Sequence, residues 1–130
     1  MPRANEAAPG YRSGVIELVL DCRDPDALAR FWAAALAYEV VDTSGPYRSL
    51  EPIAEDDPGP TLVLQAVAEP KSGKNRLHID VYAPDIGAEA SRLEDLGARR
   101  ISDTVVEDED GERWLVMADP EGNEFCVCEE

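Results

Sequence analysis

The feature that most constrains the fold is a repeat, in which two stretches of the chain share one order of elements when the sequence is shifted by 61 residues. The shift places residues 16–18 on residues 77–79, Asp24 on Asp85, and residues 61–65 on residues 122–126. The first pair has the alternation of a strand, the two aspartates suit helix N-caps, and the last pair has the composition of a closing strand. A single shift that aligns all three predicts a duplicated β-α-β-β-β unit, although the repeat is one of pattern and has low identity.

The elements predicted for the two halves agree with this duplication. In the first half we predict strands at residues 15–22, 39–42, 47–50 and 61–67, and a helix that begins at Asp24-Pro25 and extends to about residue 37. In the second half we predict strands at residues 75–82, 99–102, 113–118 and 124–128, a further extended piece at residues 105–106, and a helix capped by Asp85 that ends near Leu96-Gly97. The fold class is therefore α+β, with two modules whose sheets form a partly closed curved sheet around a cleft and whose helices lie outside.

The chain has the length of one domain, 130 residues. We interpret residues 1–14 as a polar lead-in and residues 15–130 as the domain. Within the domain, module one covers about residues 15–68, a polar linker covers residues 69–75, and module two covers residues 76–130. The modules can pair within one chain or exchange between two chains, and we expect a homodimer.

The charge of the chain restricts its partners. Twenty-eight acidic residues against twelve lysines and arginines give a formal net charge of −16, which argues against binding to nucleic acid or anionic membranes. An acidic surface for solubility is the simplest explanation, and cationic ligands are compatible with it. The three cysteines do not suggest a disulfide framework, and the sequence contains neither a membrane-spanning run nor a signal peptide. We therefore expect a cytoplasmic protein whose partner is a small molecule.

The strand at residues 75–82 contains the only histidine of the chain. Its apolar side chains alternate with polar ones, so that one face of the strand carries Arg76, His78, Asp80 and Tyr82. Such a face is either solvated or lines a site. If helices cover the apolar faces of both sheets, the remaining faces meet across a cleft. The shift of 61 residues then pairs Glu17 with His78 and Gln65 with Cys126, four electron-pair donors at the centre of the cleft.

Three segments of the chain resemble the vicinal oxygen chelate superfamily, in particular its glyoxalase-like and bleomycin-resistance-like branch. They are residues 20–32 (LDCRDPDALARFW), residues 74–80 (KNRLHID) and residues 119–126 (DPEGNEFC). The resemblance covers nearly the whole chain from Val15 onward, and DPEGNEF is its most specific part. It implies two β-α-β-β-β modules around a cleft, in agreement with the repeat.

The resemblance also implies positions for a metal. Metal-dependent members place ligands on the first and last strand of each module, and the matching residues here are Glu17, Gln65, His78 and Cys126. Cys126 stands where a glutamate is usual, which departs from the pattern of hard-metal sites, although thiolate, imidazole and carboxylate together suit zinc. One divalent metal of unknown identity is the only cofactor that the resemblance suggests.

Two functions follow as hypotheses. In the first, the protein is an enzyme of glyoxalase-like lyase, isomerase or dioxygenase type, with Glu17 and His78 as catalytic residues acting on a small molecule with adjacent oxygens. In the second, a metal-free cleft sequesters a small cationic and aromatic molecule, as resistance proteins of this branch do, with Tyr47 and Trp114 as stacking walls. In both cases the predicted ligand contacts are Asp21, Tyr47, Gln65, Arg76, Asp80, Trp114 and Cys126.

Each of these residues also has a purely structural interpretation. His78 can be a hydrogen-bonded histidine beside Asp80, and Arg76 can pair with Asp21 or Asp80. Cys126 and Cys128 are better explained as small buried apolar residues than as metal ligands or nucleophiles. Trp114 is compatible with the core or with the cleft.

Overall fold

The computed structural model describes residues 17–75 and 77–130, and these form two β-α-β-β-β modules. Module one contains β1 (Glu17–Cys22), α1 (Pro25–Leu36), β2 (Tyr38–Asp42), β3 (Tyr47–Pro52) and β4 (Thr61–Ala66). Module two contains β5 (Asp80–Ala83), α2 (Ile86–Asp95), β6 (Arg99–Arg100), β7 (Val106–Glu107), β8 (Arg113–Ala118) and β9 (Glu124–Glu129). The predicted α+β class and order of elements are confirmed, and the extended piece predicted at residues 105–106 forms the short strand β7.

Each module contributes one open sheet. The strand order is β1-β4-β3-β2 in module one and β5-β9-β8-β6 in module two, where β7 also pairs with β8. In both sheets the first and last strands of the module lie side by side and parallel, whereas the remaining neighbours are antiparallel. The parallel pair therefore brings the two predicted ligand-bearing strands of each module next to each other.

Both helices begin where the sequence predicts. The Asp24 carboxylate accepts a hydrogen bond from the Ala27 amide at 3.1 Å, and Asp85 accepts one from Ala88 at the same distance. These bonds satisfy one of the free N–H groups of each first turn. The apolar stripe predicted for α1 is buried in the core, at Leu28, Phe31, Trp32 and Ala35.

The strand predicted at residues 75–82 is shorter in the structure and begins only at Asp80. Before the strand, the chain is held to β9 at two points: the Glu124 carbonyl accepts the side-chain amide of Asn75, and the Ile79 carbonyl accepts the amide of Cys126, each at 3.0 Å. Leu77 is 56% exposed and outside the core. His78 precedes the strand, and Arg76, the other polar residue predicted there, lies outside the described residues.

The two modules are not related by one shift in their strand registers. Gln65 on β4 lies opposite Asp21 on β1, whereas Cys126 on β9 lies opposite Asp80 on β5. The shift of 61 residues that relates Gln65 to Cys126 would instead relate Asp21 to Tyr82. The parallel pair of module two has therefore slipped by two residues relative to that of module one, which changes the side chains that meet.

One core joins the modules, and an aromatic cluster lies at its centre. The rings of Phe31 and Trp32 from α1 pack in edge-to-face geometry, with centroids 5.0 Å apart, and Trp32 meets Phe125 of β9 at 5.1 Å. The indole N–H of Trp32 donates to the Asp119 carboxylate at 3.0 Å. Since Asp119 is only 2% exposed, this is a buried bond between residues far apart in the chain.

The segment that most resembles the superfamily forms the turn that presents Asp119. One oxygen of its carboxylate accepts the amides of Glu121 and Asn123, each at 2.9 Å, and the Asn123 side chain donates to the same carboxylate. Gly122 has φ of 88°, a conformation that favours glycine. The turn is therefore specified by its own side chains and holds Asp119 ready for Trp32.

Residues of module two hold both ends of α1. At its beginning, the Glu121 carboxylate accepts the amides of Arg23 and Asp24 at 2.6 and 2.7 Å. At its end, the Arg92 guanidinium donates to the carbonyls of Ala34 and Ala35 at 3.2 and 3.0 Å. A negative group at the N-terminus and a positive group at the C-terminus both match the helix dipole.

We expect Arg92→Met to lower the free energy of unfolding, with a cost that depends on pH. The Arg92 guanidinium also binds Glu89 at 2.8 Å, and this hydrogen bond holds the pKa of the Glu89 carboxyl below its usual value of 4.5. Stability from the pair is therefore present above that value and is lost as pH falls through the lowered pKa of the folded state. Because Arg92 is partly exposed, we expect the pair to contribute about 0.2–1 kcal/mol.

Urea unfolding of wild type and Arg92→Met across the acidic range measures this difference. The matched control is Arg100→Met, which loses the ion pair with Glu94 of the same helix but no contact with α1. At neutral pH the Arg92 variant should lower the free energy of unfolding more than the control does. The difference between wild type and the Arg92 variant should become smaller as the pH falls. An equal cost for both variants at neutral pH would show that the contact with α1 contributes nothing.

Within the described ranges, neither α1 nor α2 is long and apolar enough to cross a membrane.

Candidate functional site

In module one, three of the predicted contact residues form a row across neighbouring strands. Asp21 of β1, Gln65 of β4 and Tyr47 of β3 are register partners, so their side chains lie side by side on the face opposite the helix. Leu64 points to the other face and belongs to the core. The prediction that these three side chains share the uncovered face agrees with the register of the sheet.

In module two, the corresponding face carries Trp114. The sequence alone did not decide whether this side chain points to the core or to the cleft. Trp114 of β8 lies opposite Cys128 of β9, which in turn lies opposite Tyr82 of β5. The intervening residue Leu115 is buried in the core. Trp114 is therefore on the uncovered face, half-buried, beside Tyr82 and Cys128.

One group of potential metal ligands comes together in the described part of the chain. A donor atom from each of His78, Asp80 and Cys126 lies within 4.8 Å of the other two. His78 and Asp80 are exposed, whereas Cys126 is buried. We call these three residues the module-two triad, because all of them lie on or next to β5 and β9.

The strand register separates two of the four positions that the resemblance implies for a metal. In module one, Glu17 lies four residues before Asp21, the partner of Gln65. At about 3.3 Å per residue, this places the backbones of Glu17 and Gln65 roughly 13 Å apart along the strands. His78 and Cys126 belong to the group whose donor atoms lie within 4.8 Å of one another, and the four-residue site of Glu17, Gln65, His78 and Cys126 stays a prediction.

The thiols lack the character of nucleophiles. Burial raises the pKa of the Cys22 thiol to about 12, and the nearby Glu121 carboxylate adds to the rise. Burial, with the negative charge of Asp80, likewise raises the pKa of Cys126 and brings that of Cys128 to about 11. The thiols are therefore protonated near neutral pH in the metal-free protein, which does not favour nucleophilic catalysis by cysteine.

A cavity of about 500 Å³ lies where β1 of module one faces the linker and the beginning of β9. We call it the junction cavity. Its apolar wall comes from both modules and from the linker: Leu18, Val19, Leu20, Leu62, Val67, Pro70, Leu77 and Ile79. Its volume falls in the range of about 300–1,000 Å³ that small-molecule sites occupy.

The charged groups of the junction cavity are unbalanced. Among the described residues, four carboxylates line it, from Asp21, Glu69, Glu121 and Glu124, against the single ammonium of Lys71. Lys71 donates to the Gly73 carbonyl, and Glu121 is engaged with the start of α1. Among residues 17–75 and 77–130, the carboxylates of Asp21, Glu69 and Glu124 have neither a hydrogen-bond donor nor an ion-pair partner. The cavity therefore presents negative charge next to an apolar wall.

The structure places the predicted contact residues in different regions. Of those described, Asp21 lines the junction cavity, whereas Tyr47, Gln65, Trp114 and the triad lie outside its lining. The sequence did not predict site roles for four lining residues that belong to the linker and to the turn before β9, namely Glu69, Lys71, Asn75 and Asn123. The order of the elements offered one signal for these residues, because a linker between two packed modules passes over the junction between them.

Comparison with known proteins agrees with this architecture. The model of the glyoxalase-like domain family matches residues 17–128. A glyoxalase/bleomycin resistance protein/dioxygenase family enzyme from Burkholderia phytofirmans PsJN shares the fold with a TM-score of 0.71 and 17% identity, over 87% of this chain and 95% of that one. A lactoylglutathione lyase from Agrobacterium tumefaciens gives a TM-score of 0.61 and 20% identity over 91% and 94%.

A third similar structure is a glyoxalase/bleomycin resistance protein/dioxygenase from Nocardioides, with a TM-score of 0.69 and 20% identity over 91% of this chain and 83% of that one. A search of curated protein sequences gave no match. At these identities the structural neighbours establish the fold, and the family model establishes membership. The chain belongs to the family of glyoxalase-like domain proteins.

Proposed function

We propose that this protein binds a small organic cation with an apolar body in the junction cavity. The observation that carries the proposal is the lining, in which the described residues place apolar side chains beside four carboxylates and one ammonium. Apolar surface supplies affinity for the body of such a ligand, and the carboxylates favour its positive charge. The net charge of −16 adds long-range attraction for cations.

Binding is better supported than the metal-assisted transformation of a molecule with adjacent oxygens. That reaction assigns Glu17 and His78 to one metal, with Gln65 or Cys126 as a further ligand, and the register of β1 and β4 separates Glu17 from Gln65. The name of a structural relative from Albidiferax ferrireducens T118, a glyoxalase/bleomycin resistance protein, is in keeping with ligand binding as a use of this fold.

Direct titration with a matched pair of fluorescent probes tests the proposal. N-methylacridinium carries a permanent positive charge, whereas acridine has nearly the same shape and is uncharged at mildly alkaline pH. We expect saturable binding of the cation, at least about fivefold tighter than that of acridine, which corresponds to about 1 kcal/mol from partly exposed ion pairs. Raising the salt concentration should reduce the difference.

Substitutions then locate the binding site. Asp21→Asn and Glu69→Gln should each weaken binding of N-methylacridinium by about two- to fivefold and leave acridine binding nearly unchanged. Glu109→Gln is the matched control, because it removes the same charge from an exposed loop outside the cavity lining. Equal affinities for the two probes, or equal losses in the Glu69 and Glu109 variants, would exclude charge recognition in the junction cavity.

A further inference from the structure

We infer that the module-two triad, His78, Asp80 and Cys126, is a binding site for a divalent metal of borderline softness, such as Zn²⁺. The triad is separate from the proposed cation site, since none of its members lines the junction cavity. His78 and Cys126 are two of the four positions that the family pattern implies, whereas Asp80 is not, and the triad takes every ligand from module two.

The strand register explains why these three residues meet. Asp80 and Cys126 are direct partners across the parallel pair β5 and β9. His78 lies two residues before Asp80, and strand-like side chains two residues apart point to the same side. With the register of module one, Cys126 would instead lie opposite Tyr82. The two-residue slip therefore exchanges a phenol for a carboxylate beside the thiol.

The donor set favours a particular class of metal. Imidazole nitrogen, carboxylate oxygen and thiolate sulfur are the three ligand types that zinc accepts, whereas Mg²⁺ and Ca²⁺ prefer oxygen alone. When the thiol of Cys126 gives up its proton on binding, the two negative ligands neutralise a divalent ion. Neutralisation makes the buried position of Cys126 compatible with a bound charge.

The geometry allows the ligands to close around an ion. Ligand atoms of a tetrahedral zinc site are about 3.5 Å apart, as bond lengths of 2.0–2.3 Å require. The donor atoms of the triad lie within 4.8 Å of one another, so they need to approach by about 1 Å. His78 and Asp80 are exposed, whereas Cys126 is buried, so the approach falls to the two exposed side chains. Three protein ligands leave a fourth position on the exposed side, the arrangement of zinc sites that bind an exogenous group.

Titration of the metal-free, tag-free full chain with Co²⁺ tests the inference, because cobalt replaces zinc and reports its ligands by absorption. We expect one Co²⁺ per chain, a thiolate-to-cobalt charge-transfer band in the near ultraviolet, and loss of both on addition of Zn²⁺. Cys126→Ser should abolish the band. His78→Ala and Asp80→Asn should weaken Co²⁺ binding by at least about tenfold, the loss seen even for groups that only support a ligand.

Cys128→Ser is the matched control, since it removes the same side chain two positions along β9 from a thiol outside the triad. It should leave the band in place and weaken Co²⁺ binding less than any of the three triad substitutions does. Far-ultraviolet circular dichroism verifies that each variant is folded. Absence of the band in the wild type, its persistence in Cys126→Ser, or its loss in Cys128→Ser would each overturn the assignment. None of these outcomes depends on the binding of N-methylacridinium, so the two proposals can fail independently.

Discussion

Asp119→Ala is expected to lower the free energy of unfolding by about 3–5 kcal/mol, a large part of the total for a domain of this size. The substitution removes a buried carboxylate that accepts hydrogen bonds from the indole of Trp32, from the amides of Glu121 and Asn123, and from the Asn123 side chain. Each buried donor left without an acceptor costs about 1–3 kcal/mol. Urea unfolding followed by circular dichroism measures the loss.

The chain contains a control of nearly identical local geometry. In the exposed turn after β7, one oxygen of Asp108 accepts the amides of Asp110 and Glu112, each at 2.9 Å, and Gly111 has φ of 82°. The hydrogen bonds of Asp119 follow the same spacing, but Asp119 is buried and also binds Trp32.

Asp108→Ala should therefore cost only about 0.5–1.5 kcal/mol, the net effect of surface hydrogen bonds. If Asp119→Ala prevents folding, Asp119→Asn is the alternative, since it keeps one acceptor oxygen and should fall between the two. Equal losses for Asp108→Ala and Asp119→Ala would show that the turn, and not its burial or its bond to Trp32, determines the cost.

Local signals in the sequence predicted much of the fold. The helix starts at Asp24 and Asp85 were predictable because an N-cap acts on amides within one turn. The facing of Tyr47 and Gln65 followed from alternation, which has a period of two along a strand. The direction of Trp114 could not be predicted from alternation, because three consecutive apolar residues follow it: Leu115, Val116 and Met117.

The candidate site was less accessible to sequence reasoning, because its parts depend on register and on contacts between distant residues. The pairing of Asp80 with Cys126 depends on a two-residue slip that a repeat with one fixed shift cannot contain. The chain before β5 meets β9 through the contact of the Asn75 side chain with the Glu124 carbonyl, residues 49 positions apart. Similarly, the lining of the junction cavity combines the linker with the turn before β9.

The segment with the most specific family resemblance proves to have a structural use in this chain. Residues 119–123 form the turn whose carboxylate holds Trp32, and Glu121 within it binds the amides at the start of α1. The same Glu121 lines the junction cavity. The turn therefore fixes the position of α1 relative to module two and thereby shapes one wall of the proposed binding site.

Trp32→Phe is expected to cost about 2–3 kcal/mol, because it removes the indole N–H that binds Asp119 and leaves a small void in the core. Trp32 is 1% exposed, and the ring of phenylalanine preserves most of the contact with Phe31 and Phe125. Trp114, the second tryptophan of the chain, provides the control with the same substitution. Its indole is half-buried and makes no hydrogen bond to any described residue, so Trp114→Phe should cost less than about 1 kcal/mol.

A double-mutant cycle separates the hydrogen bond from the packing. Trp32→Phe combined with Asp119→Asn should cost less than the sum of the single substitutions, by about 1–2 kcal/mol, because the bond can be lost only once. Trp114→Phe combined with Asp119→Asn should be additive within about 0.5 kcal/mol. Circular dichroism is the suitable signal, since each tryptophan substitution removes a fluorophore. Additivity in the Trp32 cycle would mean that the buried bond between α1 and the turn of module two contributes nothing to the joining of the modules.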